Sequence, residues 1–278
     1  TILRRVRKNR HTRIIAIADN VIPHEKRPGD AIFTKYFLKS CDAFVTMSEK
    51  VMNDLRSFEK TKPARQVLHP LYDTFGAAVS KTDARTFLKL PQDEKIILFF
   101  GFVRKYKGLD MLLNAMQLSE AGGVKLLIAG EFYEDEKPYL EQIKNLGIKD
   151  NVILRTQFIP DSEVRYYLCA ADVVVQPYRS ATQSGVTPLA YHFEKPMIVT
   201  NVGSLPDLVP HGKAGLVCEP EPASIAHAIS NYFQLGEQHF IPHLRTEKVK
   251  YAWDKLSEVL LFLAGIKTAS QKTEPGVK

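Results

Sequence analysis

"DVVVQPYRSATQSGVTPLAYHFEKPMIVT" (172–200) reads as a strand, a loop, a helix and a second strand. DVVVQP (172–177) and PMIVT (196–200) carry short apolar runs without alternation, the pattern of strands covered on both faces of a parallel sheet. Between them Val186, Leu189, Ala190 and Phe193 stand at i, i+3, i+4 and i+7, one stripe of a helix. Two such strands joined by one helix make a right-handed crossover. The expected class is therefore α/β, built on doubly wound parallel sheets.

The same alternation runs back to residue 95. KIILFF (95–100), VKLLIA (124–129) and NVILRT (151–156) read as strands, and AGLVCE (214–219) as a short one. KGLDMLLNAMQL places Leu109, Leu112, Leu113 and Met116 on one helical stripe, and further helices are expected near 136–146 and 161–171. In the last of these Val164, Tyr167, Leu168 and Ala171 keep helical spacing.

Residues 1–75 supply fewer pieces. RIIAIAD (13–19), AFVTMS (43–48) and RQVLHP (65–70) read as strands, with the helix GDAIFTKYFLKS between the first two. Three strands are too few for a complete doubly wound sheet. The expectation is a partial Rossmann-like domain over 1–75 whose first half precedes Thr1, with an edge beside RIIAIAD open to self-association. A second Rossmann-like domain is expected over 76–250, after an interdomain linker in 71–92 marked by Gly76 and Pro91. Residues 251–265 form an amphipathic helix, with Trp253, Leu256, Leu260 and Leu263 on one face, and 266–278 a disordered tail.

Of the 278 residues, 45% are hydrophobic and 25% charged, a globular balance. No apolar run approaches the roughly 18 residues that cross a bilayer. Cys41, Cys169 and Cys218 are odd in number and far apart, which fits free thiols in the cytoplasm better than a disulfide framework. The net charge of +7 lies in the first quarter, where residues 1–75 hold 15 Lys and Arg against 8 Asp and Glu. Such a basic surface suits peripheral contact with an anionic membrane face, although for RRVRKNRHTR (4–13) taken singly a solvated basic helix is the better reading. No motif for nucleic acid accompanies it, and nucleic acid is not an expected partner.

In open parallel sheets, ligands bind beyond the carboxyl ends of the strands. After 95–100, Gly101 allows a tight turn, and Arg104 and Lys107 precede a helix: two cations suited to a diphosphate. After 124–129, Gly130 permits close approach of a ligand ring and Glu131 follows it. TQFIPD (156–161) offers Phe158 to a nucleobase, or to the core. In 182–186, Thr182, Gln183, Ser184, Gly185 and Val186 open a helix whose first amides and Ser184 hydroxyl suit phosphate oxygens; Ser184 is equally a plain N-cap. TNVGSLPDLV (200–209) adds Gly203 in a loop that could cover a sugar. His239 and His243 have metal-ligand spacing, but Pro242 argues against one helix presenting both.

Taken in order, these loops resemble the carboxyl-terminal domain of GT-B glycosyltransferases of family 4, over about residues 92–265. Gly101 through Ala115 is similar to the family's G-R-x-x-x-x-K-G and L-L-x-A segments. LLIAGE (126–131), FIPDSEVRYYLCAADVVVQPY (158–178) and EKPMIVTNVGSLPDLV (194–209) resemble its next three blocks. IADNVIPHEKR (17–27) resembles the family's strand ending in His-Asp, which falls on Asp19 and Asn20, with His24 four residues on. The resemblance implies two Rossmann-like domains, the first incomplete, with the last helix packing back towards the amino-terminal domain. It implies transfer of a sugar, with retention, from a nucleotide-diphosphate donor to a glycan or lipid-linked acceptor in surface polysaccharide synthesis, at the inner face of the cell membrane. Arg104 and Lys107 then stabilise the departing diphosphate, Asp19 and His24 serve the acceptor, and no metal or other cofactor is expected. Two departures stand out. The family's arginine after the glycine is Phe102 here. Its E-x7-E carboxylates fall on Ala181 and Leu189 when counted from Pro196, or on Thr182 and Ala190 when counted from Gly185. A binding protein that has lost transfer, or a nucleotide-sugar epimerase of the same fold, are the alternatives.

Overall fold

The computed structural model describes residues 2–9, 11–22, 28–71, 74–118, 123–181 and 184–266. They fall into two compact units, one of residues 1–70 with 250–278 and one of residues 71–249.

The first unit holds a parallel sheet in the order β1 (Ile15–Ala18), β2 (Ala43–Thr46), β3 (Ala64–Gln66). The central β2 is buried along its whole length, because successive side chains point to opposite faces and both faces are covered. Phe44 meets Leu38, Cys41, Val51 and Leu55 on one side. Ala43 and Val45 meet Leu256 and Leu263 of the helix Trp253–Ala264 on the other. Trp253 opens that helix but stays 49% exposed, so the stripe expected from its spacing is anchored by Leu256 and Leu263 instead. The helix Glu49–Phe58 is capped by Ser48, whose side chain accepts from the Val51 amide. Part of the basic excess is spent internally: Arg7 donates to the Lys39 carbonyl, Arg13 to Leu263 and Lys62 to Leu38. The tail from residue 267 lies outside the described residues.

The second unit is a six-stranded parallel sheet: β4 (Lys95–Phe100), β5 (Val124–Ala129), β6 (Val152–Arg155), β7 (Val173–Gln176), β8 (Met197–Thr200) and β9 (Gly215–Cys218). Its spatial order is β6-β5-β4-β7-β8-β9. The chain moves outward from β4 to β6, then returns to the other side of β4 and moves outward again. That reversal leaves a crevice beyond the carboxyl ends of β4 and β7.

Two expectations are corrected here. Residues 71–92 are more than a linker, since Lys81–Phe87 is a helix capped by Ser80. Ala84, Leu88 and Leu90 are buried, and Phe87 stacks on Tyr166 at 3.9 Å. Arg85, 3% exposed, donates to the Ala170 carbonyl and to Asp172, which also accepts from the Ile96 amide. The i, i+4 apolar stripe and a buried guanidinium weld the segment to the sheet. The second correction concerns Pro242, which lies inside a helix, Glu237–Lys248. An interior proline costs about 3 kcal/mol, which burial of Phe240 and Leu244 on the same helix offsets. His239 and His243 then sit 6.5 Å apart between ring centroids, and His239 Nε2 is 3.2 Å from the Gly212 carbonyl oxygen. Among the described residues no cluster of His, Cys, Asp or Glu could hold a metal ion, and no helix is long and apolar enough to cross a membrane.

Candidate functional site at the β4–β7 crevice

Three glycines shape the crevice. Gly101 turns the chain after β4 at φ +88, and a Cβ there would lie 3.2 Å from Lys107 Nζ and 3.8 Å from Val186 Cγ2. Gly130 ends β5 at φ +134, where a Cβ would come within 2.5 Å of the Gly101 carbonyl oxygen. Gly108, at φ +68, would place a Cβ 2.0 Å from the Pro177 carbonyl oxygen. The loops after β4, β5 and β7 therefore touch backbone to backbone, and only glycine permits it. Past the strand ends Val103 still pairs with Phe132, and the Val103 amide donates to the Glu131 carbonyl. The β4 and β5 loops are pinned rather than free.

Lys107 closes a single 3-10 turn, Lys105–Lys107, and is only 9% exposed. Its ammonium makes no hydrogen bond or ion pair to a described residue; its neighbour is the Tyr178 ring, 5.7 Å away at the centroid. Burial first, and the Arg104 guanidinium second, pull its pKa down to about 8. A buried cation without a counter-charge is costly, so the site favours an anion. Arg104 lies half-buried with its guanidinium 4.3 Å over the Tyr133 ring.

Beside Gly101 opens a pocket of about 190 Å³. Gly101, Gly130, Glu131 and Phe158, chosen from three separate loops of the sequence, all line it. Phe75, Phe100, Phe102, Ile159, Val164 and Leu189 supply the apolar wall, and Asp161 completes it. Phe158 is 67% exposed, so its alternative place in the core is ruled out. Phe102, at the place of the family's arginine, is part of the wall and packs edge-on against Tyr133 at 4.8 Å. Leu189, one of the positions that lacks a carboxylate, faces this pocket too.

The loop after β7 departs from expectation. Ser184 is 6% exposed, and its hydroxyl donates to Gln176 Oε1 at 2.6 Å while accepting from the Val186 amide at 3.2 Å. Its one proton is used inside the protein, so it braces the turn instead of offering a donor to a phosphate. Thr187 donates to the same Gln176 oxygen at 3.2 Å. The helix Val186–His192 is buried on all sides through Tyr191, whose hydroxyl donates to the Leu208 carbonyl. That burial explains why Ala190 suits its position, since an ionised carboxylate there would need a partner. Gly185 precedes this helix with ordinary right-handed angles. Gly203, at φ +56, abuts Ala181: a Cβ would stand 1.6 Å from the Ala181 carbonyl oxygen. Thr182 and Gln183 lie outside the described residues, as does His24. Asp19 belongs to the other unit, where it is exposed just past β1. The sequence reading missed Gln176 and Tyr178; a lone polar residue ending the apolar run VVVQ was the available signal.

The family model described as "Glycosyl transferases group 1" matches residues 94–234, about half of the chain. Among curated relatives, the chain is 28% identical over 232 residues to an uncharacterized glycosyltransferase, MJ1607, of Methanocaldococcus jannaschii, covering 79% of this chain and 58% of the relative. Two other curated relatives are spanned to 35% and 42% of their lengths. Among solved structures, sucrose-phosphate synthase from Thermosynechococcus elongatus superposes with a TM-score of 0.73 at 23% identity, over 86% of this chain and 62% of that one. HepE from Anabaena, in complex with UDP-glucose, gives 0.76 at 16% identity, over 91% of this chain and 72% of that one. At those identities the superpositions speak for the fold, an α/β architecture of parallel sheets seen in GT-B glycosyltransferases. The family match covers β4 through β9 and every loop of the crevice, so the chain belongs to the glycosyl transferases group 1 family.

Proposed function

We propose that the crevice binds a nucleotide-diphosphate sugar and serves as the donor site of a retaining transferase acting on a glycan or lipid-linked acceptor. One observation carries the reading: Lys107 is a buried ammonium without a carboxylate among the described residues, set against the turn at Gly101. When the glycosidic carbon–oxygen bond of a donor breaks, the electron pair passes to the diphosphate, and a fixed cation there stabilises the transition state more than the ground state. Arg104 is assigned as the second cation of that site, and the Gly185 amide, ahead of the helix Val186–His192, as a donor on its β7 side. The Val186 amide is already engaged by Ser184. No step calls for a metal or other cofactor. Asp19 and His24 are assigned to the acceptor, and the basic surface of residues 1–75 to contact with a membrane where a lipid-linked acceptor resides.

The test is calorimetry with nucleoside diphosphates on the wild type and Lys107→Ala. Loss of a hydrogen bond to a charged group should weaken binding by about 1.5–3 kcal/mol. Unchanged affinity would remove the assignment. A second reading, a binding protein without transfer, is favoured by the buried Ala181, Leu189 and Ala190. Binding of donor without release of nucleoside diphosphate, in the presence of acceptor, would select it.

A further inference from the structure

The pocket beside Gly101 is too small for a whole nucleotide sugar: complete small-molecule sites span about 300–1,000 Å³, against about 190 Å³ here. It suits one planar group of a larger ligand. Phe100, Phe102 and Phe158 offer faces and edges to such a group. Among the described residues, the ionisable or hydrogen-bonding side chains lining it are Glu131 and Asp161. Both are carboxylates, and neither has an ion pair among the described residues. Ionised carboxylates accept hydrogen bonds and donate none. A base recognised by these side chains must therefore present donors.

Resting on the donor-site reading above, we propose that the base bound here is guanine, so that the donor is a GDP-sugar. Guanine alone presents two adjacent donors, its ring N1–H and its exocyclic amine, which one carboxylate accepts as a pair of parallel charge-assisted bonds. Adenine and cytosine present a single amine beside an acceptor nitrogen. Uracil presents one N–H between two carbonyl oxygens, and those oxygens would face the carboxylates unfavourably. Glu131 is the better placed of the two acids. It directly follows the constrained Gly130, on backbone held by the Val103 amide at 2.8 Å. Gly101 links the two halves of the site, since it lines the pocket and a Cβ added there would lie 3.2 Å from Lys107 Nζ. A diphosphate at Lys107 thus delivers its base to the aromatic wall.

The experiment compares GDP, UDP, ADP and CDP by calorimetry on the intact chain, wild type and with Glu131→Gln, Asp161→Asn and Lys107→Ala. GDP should bind at least about tenfold more tightly than the other three. The Glu131→Gln, Asp161→Asn double variant should shrink that preference to within about threefold. Lys107→Ala should weaken all four by a similar factor and keep their ranking. If UDP, ADP or CDP binds as tightly as GDP, the guanine inference is overturned while the donor-site reading stands. A GDP preference that survives the double variant overturns the role of the carboxylates. If none of the four binds, the donor-site reading fails and takes the base assignment with it.

Discussion

Replacing Lys107 by methionine should make the free protein more stable while removing its ligand. Burial and Arg104 bring the ammonium pKa from 10.5 to about 8. At about 1.4 kcal/mol per pH unit, holding the charged form inside the fold costs on the order of 3 kcal/mol. Methionine keeps the length of the side chain without the charge. It gives up the contact with the Tyr178 ring, worth about 0.5–1 kcal/mol, which leaves a net gain of about 2 kcal/mol. The sign follows from proton counts. Below pH 8 the folded and unfolded lysine both carry the proton, and the penalty is full. Between about 8 and 10.5 the folded state releases its proton first, so wild-type stability rises with pH and the advantage of Lys107→Met fades. The single tryptophan, Trp253, belongs to the other unit, so its fluorescence would report the wrong transition. Hydrogen exchange at the amides of β4 and β7, across pH values on both sides of 8 and without nucleotide, reads the relevant unit. A variant less stable than wild type at pH 7, or a gain that stays constant through pH 10, would refute the account of Lys107 as an unpaired buried charge.

Gly203→Ala should lower the melting temperature by several degrees, on the order of 2 kcal/mol or more, because its Cβ would overlap the Ala181 carbonyl. Gly147→Ala, at a similar positive φ but in open space, should cost only about 1 kcal/mol and serves as the control. Ser184→Ala should destabilise by about 1–3 kcal/mol, since it takes a partner from Gln176 and from the Val186 amide in a buried place. Its effect on nucleoside diphosphate affinity, read by calorimetry, should be smaller than that of Lys107→Ala. Burial raises the Glu237 pKa, but ion pairs with Lys195 and Lys81 outweigh it and leave the carboxyl below its usual 4.5. Its stabilisation is therefore present above pH 4.5 and lost as pH falls through the lower folded value, and Glu237→Gln should unfold with a weaker acid dependence below pH 4.5.

Much of the sheet could be read from the chain because burial on both faces leaves a local mark. KIILFF, VKLLIA and VVVQ have no polar face, and each is a strand within a residue or so of its expected limits. Helices were legible where one stripe is apolar, as in Leu109–Gln117. Where packing overrides local preference, the reading failed: Pro242 sits inside a helix held by Phe240 and Leu244, and the linker of 71–92 contains a helix fixed by Arg85 and Asp172. No local pattern announces a salt bridge spanning 87 residues.

The order of loops along the chain, and hence which residues could meet a nucleotide, was set by sequence alone. The absence of carboxylates at Ala181, Leu189 and Ala190 was likewise a matter of sequence. Which of these residues share a site was decided by the strand order β6-β5-β4-β7-β8-β9. It places β4 between β5 and β7 and so brings Gly101, Gly130 and Lys107 together. The tertiary structure also turned Ser184 inward, because a buried Gln176 oxygen needs donors more than open solvent does. It left the Lys107 ammonium without a counter-charge among the described residues, and a sequence cannot show that, since charge balance inside a protein depends on distances that only packing fixes.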